Sequence, residues 1–321
     1  MTLRNRAAVA ALTTSTLALA TLVGASAHAK EYQPPGSLGP VFVLDGGRYS
    51  AFDPPDGISG NEFVDLNDRG QVAGTYVDSG PGASHGFVRE KRGRFTRFDA
   101  PGAIDTYVSE INDRGQIVGV ACYAEPCVQR GFLRDARSRF ATIRKPGAVA
   151  TQAFGLDDRG RVVGDYRDKN GRFHGYLWVK GRFTTIDVRG AAGTTLMGIN
   201  DRGDMVGLYL EADGSTHAFF RNARGQVTTI DAPDAKLTFP TDINDRGQIA
   251  GFTTDALPLP TATDIQGFVL KNGPTGPFTR IDYPGASRTI VFGLNDRGSI
   301  TGVYENPNAT PPSAVPPEKD R

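Results

Sequence analysis

The chain has 321 residues, with 36 Lys and Arg against 35 Asp and Glu, so its formal net charge of +1 excludes bulk electrostatic capture of nucleic acid. Hydrophobic residues make up 39%, too many for a disordered polymer. The 40 Gly and 21 Pro punctuate the chain too often for an all-helical fold.

Arg4 and Arg6 precede an apolar run from Ala7 to Val23, and Ala27-His28-Ala29 is a small-x-small triplet. The pattern predicts a secretory signal peptide over residues 1–29, cut before Lys30. A membrane anchor is the competing reading, but the run is short and interrupted by Thr13 to Thr16. Removal leaves 34 basic and 35 acidic residues. No later stretch has spanning length, so an extracellular or periplasmic protein without a membrane span is expected. Residues 30–40 read as a lead-in segment.

The tetrapeptide Asn-Asp-Arg-Gly then recurs from Asn67, Asn112, Asp157 (as Asp-Asp-Arg-Gly), Asn200, Asn244 and Asn295, at gaps of 45, 45, 43, 44 and 51. A fixed period of this size marks a solenoid, propeller or array. Residues 254–266 account for the long last gap. Each unit holds four short strand-like pieces rich in β-branched and aromatic residues. The first two flank the tetrapeptide, as in Tyr107–Ile111 and Gln116–Gly119. The third begins with His-Gly-Phe or a relative, and the fourth resembles Arg182–Asp187. The tetrapeptide itself fits a hairpin turn: Asn caps, Asp-Arg take right-handed positions, and Gly takes the left-handed one. A Gly also recurs in every second strand, at 74, 119, 164, 207, 251 and 302, where it predicts close approach of a neighbouring backbone or ring.

These units predict an all-β, six-bladed β-propeller with four antiparallel strands, A to D, per blade over residues 41–304. The chain enters with C- and D-type strands, Val41–Leu44 and Tyr49–Asp53. It leaves with A- and B-type strands, Ile290–Leu294 and Ile300–Tyr304. The two ends are therefore expected to complete one blade together. A linear β solenoid is the alternative, and it would not need complementary ends. Residues 305–321 form a Pro-rich tail expected to be disordered.

The repeats resemble the HAF family of extracellular repeat proteins. Residues 196–207, Leu-Met-Gly-Ile-Asn-Asp-Arg-Gly-Asp-Met-Val-Gly, with His217-Ala218-Phe219 after them, carry the resemblance, and it recurs six times. It implies a secreted β-repeat protein and assigns no catalytic residue.

Functional candidates lie where units depart from the repeat. Asp65, Glu110 and Asp242 share one register in strand A, where the other units have Gly. They are candidate catalytic groups or ligands of a divalent ion near the axis. Against that stands the plain reading that each accepts hydrogen bonds from the next blade. The Asp-Arg turns are expected to make blade-to-blade ion pairs. A ring of acids ends the D strands (Asp53, Asp99, Asp187, Asp231, Asp282) and suggests calcium, but it lies roughly 14 Å outside strand A. Turn capping is the better account there, and no cofactor is expected. In the third such place Arg144-Lys145 replaces the acid. Tyr76, Tyr166, Tyr209 and Tyr304 end B strands, beside loops that vary between units. His85, His174 and His217 fall in different blades, too far apart for one zinc site. Gly82-Ala83-Ser84-His85-Gly86 matches a nucleophile-elbow spacing, but a strand and not a helix follows it. Cys122 and Cys127 sit in one loop and, after export, are expected to form a disulfide.

Two functions follow. One is a secreted, non-enzymatic monomer that binds a glycan, peptide or cell-surface protein through its B–C loops. Its candidate contacts are Tyr123, Arg144, Lys145, Tyr166 and Tyr209. The other is a secreted hydrolase or lyase using Asp65, Glu110 and Asp242. A structural surface-layer role is a third.

Overall fold

The computed structural model describes residues 39–54, 63–77, 83–124, 127–256, 262 and 264–305. The signal peptide, most of the lead-in, the Pro-rich tail and the Leu257-Pro258-Leu259-Pro260 piece lie outside the described residues, as does Gly82 of the elbow-like motif.

The chain is a six-bladed β-propeller built from six four-stranded antiparallel sheets. Blade 1 comprises β3 (Val64–Leu66), β4 (Val72–Val77), β5 (Ser84–Arg89) and β6 (Phe95–Phe98). Blade 2 comprises β7 (Asp105–Ile111), β8 (Ile117–Cys122), β9 (Gln129–Arg134) and β10 (Phe140–Ile143). Blade 3 follows with β11 (Ala150–Leu156), β12 (Val162–Arg167), β13 (Phe173–Val179) and β14 (Arg182–Thr185). Blade 4 has β15 (Gly193–Ile199), β16 (Met205–Leu210), β17 (Thr216–Arg221) and β18 (Val227–Thr229). Blade 5 has β19 (Leu237–Ile243), β20 (Ile249–Thr254), β21 (Ile265–Leu270) and β22 (Phe278–Ile281). Blade 6 joins the two ends of the chain in the order β2-β1-β24-β23, where β1 is Val41–Asp45, β2 Arg48–Phe52, β23 Arg288–Leu294 and β24 Ile300–Glu305. The complementary ends read from the sequence thus share one blade, which rules out the linear solenoid.

The tetrapeptide makes the A–B hairpin turn in every blade. In blade 1 the Asn67 Oδ1 accepts hydrogen bonds from the backbone N–H of Arg69 (3.1 Å) and Gln71 (3.0 Å). Gly70 closes the turn at φ 75°, where a side chain would be strained.

Each second-strand Gly faces an aromatic residue across the sheet. The pairs are Gly74–Phe87, Gly119–Phe132, Gly164–Tyr176, Gly207–Phe219, Gly251–Phe268 and Gly302–Phe42. All six rings are buried, and each contributes about 1.5–3 kcal/mol by leaving water. Their Gly partners leave room for the rings, as Phe87 and Phe132 show by crowding the place of a Cβ on Gly74 and Gly119.

The same Gly also faces a kink. In blades 2 to 6 the A–B register slips by one residue opposite it, a β-bulge that leaves one extra residue in strand A. The extra residues are Ser109, Phe154, Met197, Thr241 and Phe292. Before the slip, strand A turns a carbonyl onto the Gly, as Tyr107 O does onto Gly119.

Candidate functional site

The bulges shape the axis. Their five extra residues, with Phe63 in the sixth place just before β3, line the axial cavity together with Asp65, Glu110 and Asp242. Phe63, Phe154, Met197 and Phe292 are all buried there. The space left is about 10 Å³ for the centre of a water-sized sphere, which is room for about one water. The three acids do meet around one cavity, as their shared register required, but the cavity has no room for a sugar ring or a peptide.

Each axial acid ties its blade to the next. Asp65 Oδ2 accepts the N–H of Ile111 (2.9 Å) and Asp242 Oδ2 that of Leu294 (2.7 Å). Glu110 accepts a backbone hydrogen bond from Leu156. Burial holds all three carboxyls above the ordinary range, Asp242 to about 7. The charge of Asp242 adds to the rise at Asp65 and Glu110. Neutral carboxyls bridging blades fit an apolar plug better than three anions would.

The A–B turn face is closed by two rings of hydrogen bonds. In the first, an Asn amide donates to the backbone carbonyl of the next blade, as Asn67 Nδ2 does to Asn112 O (3.0 Å). The ring closes from Asn295 Nδ2 to Asn67 O at 3.3 Å. Asp157 breaks the pattern because a carboxylate cannot donate. Arg161 takes over: it pairs with Asp157 and donates through Nη2 to Asn200 O (3.1 Å) and Asp201 O (3.0 Å). In the second ring, the turn aspartate accepts a backbone N–H from the preceding blade. Asp113 Oδ1 accepts from Asp68 N (2.6 Å), and the series runs through Asp158, Asp201, Asp245 and Asp296. Arg297 N closes it on Asp68 Oδ1 at 3.2 Å.

This second ring corrects the expected ion pairs. The aspartates engage backbone donors, while their arginines lie mostly outside. Among the described residues only Arg159–Asp201 (3.8 Å) and Arg297–Asp68 (3.6 Å) pair turn to turn between blades. Asp68, Asp113 and Asp296 bring carboxylate oxygens within 4.8 Å of one another, and they are the described set that a divalent ion would fit. Burial raises Asp113 and Asp296 above the usual carboxylate range, and neighbouring aspartates add to it.

The opposite face carries the B–C loops and the D–A turns. Here three of the five D-strand acids, Asp99, Asp187 and Asp231, do something other than cap turns. Asp99 holds His85 Nδ1 at 2.8 Å, Asp187 holds His174 Nδ1 at 2.8 Å, and Asp231 holds His217 Nδ1 at 2.6 Å. The D–A turns are capped by a threonine hydroxyl accepting a backbone N–H, as Thr106 Oγ1 accepts from Ala100 and Thr151 Oγ1 from Lys145 (each 3.0 Å). Each His also meets the tyrosine that ends strand B. Tyr76 stacks on His85 (5.3 Å between centroids), Tyr166 stacks on His174 (5.1 Å), and Tyr209 lies tilted over His217 (5.3 Å). Tyr304 packs instead on Tyr283, at 3.6 Å. Blades 1, 3 and 4 therefore each carry a Tyr–His–Asp station at the loop rim. The sequence showed all three residue types, but not that cross-strand register would assemble them.

The station in blade 4 also includes Ser215, whose Oγ lies 3.1 Å from His217 Nε2. Its hydroxyl sits 2.8 Å from Asp213 Oδ1, which can only accept. Asp213 Oδ1 thus competes with His217 Nε2 for the single Ser215 hydroxyl proton.

Blade 2 departs from the station. Arg130 and Arg144 stand where blade 1 has His85 and Asp99, each one step beyond the last paired residues, Gly131 and Ile143. Arg130 lies over the Tyr123 ring at 4.8 Å. Lys145 reaches across to blade 3, with Nζ 5.4 Å from the Tyr166 ring and 5.6 Å from that of Phe183. Cys122 and Cys127 are joined by a disulfide at the base of this loop, with Cα atoms 5.1 Å apart.

No protein-family model matches the chain, and no curated protein sequence matches it significantly. Solved structures do. A protein from Agrobacterium tumefaciens assigned as TolB matches with a TM-score of 0.62 at 11% identity, over 85% of this chain and 100% of that one. TolB from Acinetobacter baumannii matches with a TM-score of 0.53 at 11% identity, over 84% of this chain; the match spans 65% of that protein, less than two thirds of its length. The Aleuria aurantia lectin matches at 0.46 and 12% identity, over 80% of this chain and 99% of the lectin. Among the described residues no helix is long and apolar enough to cross a membrane. At these identities the first two likenesses show one thing: the chain has the fold of a β-propeller.

Proposed function

We propose that the protein is an exported, non-enzymatic recognition propeller that binds a glycan, peptide or cell-surface partner through its B–C loop face. The observation that carries this reading is the contrast between the axis and the rim. The axis is plugged and leaves room for about one water. In blades 3 and 4 the rim presents partly exposed Tyr–His–Asp stations, oriented by their aspartates, beside loops that differ from blade to blade, while Tyr76 of the blade 1 station is buried. Aromatic faces beside fixed polar groups suit a ligand that is part apolar and part hydrogen-bonding.

Glycan and peptide arrays, followed by titration of any hit against Tyr166→Ala and Tyr209→Ala variants, test it. Binding weakened at least several-fold by either variant is expected. A bond-cleaving activity that needs Asp65 and Glu110 and ignores the rim variants would replace this reading with the hydrolase or lyase. The reading also needs no metal, because the turn aspartates already accept backbone N–H groups. EDTA should leave the melting temperature unchanged; a fall restored by calcium would count against it. Export predicts a secreted form whose N-terminal residue is Lys30.

A further inference from the structure

We infer that the blade 2 sector of the loop face is a carboxylate-recognition subsite that takes an acidic peptide segment with apolar side chains beside its acids. This rests on the loop-face reading and names its partner class.

In blades 1, 3 and 4 the two rim places hold a histidine and the aspartate that fixes it. In blade 2 the same two places hold Arg130 and Arg144, and Lys145 follows. Like charges in neighbouring cross-strand places repel. Among the described residues neither arginine nor Lys145 has an ion-pair partner. Asp105 is the described acid nearest in the ladder, paired with Cys122, and its Oδ1 is taken by the N–H of Ser84 at 2.9 Å.

The buried Nε of Arg130 and the buried Nε2 of the adjacent Gln129 have no partner. Orphan buried donors are uncommon in folded proteins. Stacking on Tyr123 holds the Arg130 guanidinium in place, which suits the planar, two-pronged capture of a carboxylate.

Ile104 (45% exposed), Val128 (40%) and Val149 (48%) are the three largest exposures among the described large hydrophobic residues other than Val227. Ile104 N–H donates to Cys122 O, Val128 O accepts from Tyr123 N–H, and Val149 ends the turn that leads from blade 2 into blade 3, its N–H donating to Arg167 O. Exposed aliphatic groups beside unpaired cations match alternating acidic and apolar side chains better than an acidic sugar, because Arg130 and Lys145 already lie over the Tyr123 and Tyr166 rings on which a sugar would stack.

Three fluorescent probes test this by anisotropy: a decapeptide of alternating Glu and Leu, its Gln-for-Glu counterpart, and an oligogalacturonate of equal charge. The Glu peptide should bind at least about tenfold tighter than the Gln peptide, and more weakly as salt rises. Arg144→Glu and Lys145→Glu should each weaken it about tenfold or more, with an unchanged melting temperature. Arg224→Glu, the same charge change on the opposite face, should not. Chemical-shift mapping on the wild-type protein gives an independent readout, with the largest changes expected at Arg130 and Arg144. Preference for the oligogalacturonate, or no binding of the Glu peptide at millimolar concentration, would overturn the inference. Binding that survives Arg144→Glu but is lost in Tyr209→Ala would overturn it while leaving the loop-face reading standing.

Discussion

At the scale of single residues, substitutions in one blade are answered within the same blade. Asp157 cannot donate the hydrogen bond that an asparagine gives in the other turns, and Arg161 donates it instead while pairing with the new carboxylate. The two changes should therefore be coupled. Asp157→Asn alone leaves Arg161 without its acid, and Arg161→Gln alone leaves a buried aspartate uncompensated. Each should cost about 1–3 kcal/mol. The double variant, which restores the turn chemistry of blades 1 and 2, should lie within about 1 kcal/mol of wild type. Denaturant titration of the three proteins measures the coupling, and simple additivity would refute it.

Asp165 is a second residue-scale case, buried between blades 3 and 4. Its Oδ2 accepts from Thr195 Oγ1 at 2.9 Å, while Oδ1 has no partner. Burial raises its pKa to about 7, against an unfolded value of about 3.9. Between those values the folded chain holds a proton that the unfolded chain has lost, so stability is greatest in acid and falls as pH rises towards about 7. Asp165→Asn removes this dependence. Its melting temperature should exceed that of wild type by several degrees at pH 8, with little or no gain at pH 4. An equal effect at both pH values would mean that packing, not charge, dominates the site. The axial acids add a slope of the same sign, which cancels when the two proteins are compared.

At the scale of the strand, the recurrent Gly of strand B links core to axis. It leaves space for the facing aromatic ring and for the carbonyl that the opposite bulge turns inward. Without the bulge, Phe154, Met197 and Phe292 would fall out of the axial plug. Gly119→Ala would drive a methyl group into Tyr107 O and the Phe132 ring. It should cost at least about 3 kcal/mol, as overpacking against backbone does. A melt within a degree or two of wild type would show that the bulge can relax.

Legibility followed the same division. Asn67 and Gly70 announced their turn because the turn chemistry lies within four residues. Gly119 announced a close approach, but the bulge facing it was invisible, since its extra residue is Ser in one unit, Phe in two, Met in another and Thr in the next. The shared register of Asp65, Glu110 and Asp242 was enough to bring them to one cavity; the cavity's size was not legible, because it depends on side chains from all six blades. His85 and Asp99 are 14 residues apart, and only the register of β5 against β6 makes them partners. The turn aspartates were misjudged for a similar reason: their acceptor role depends on how one blade meets the next.

At the scale of the whole molecule, the ring must close between the two ends of the chain. It does so inside a blade. Four residue pairs, from Val41–Val303 to Leu44–Ile300, join β1 to β24. Thr301 Oγ1 adds a buried hydrogen bond to Phe42 O at 2.7 Å, and Ser299 Oγ donates to Asp45 Oδ1 at 2.8 Å. Opening the ring at this point therefore means breaking a ladder, not parting two packed faces. A circular permutant isolates the effect. Gly39 packs against the backbone of Tyr304, so a short linker can join the native ends. New ends placed in the D–A turn at residues 232–235, between β18 and β19, give six whole blades with the same side chains. That ring closes only by packing and by the inter-blade hydrogen bonds of strand A. The permutant should keep its strand content and fold, yet unfold about tenfold faster or more in denaturant-jump experiments, because ring opening precedes the loss of the blades. A second permutant, opened in the C–D turn at residues 222–225, splits blade 4 between the two ends and restores a shared blade, although only through the short β17–β18 ladder. Its unfolding rate should fall between the two. Equal rates for all three would mean that the shared blade contributes nothing to holding the ring shut.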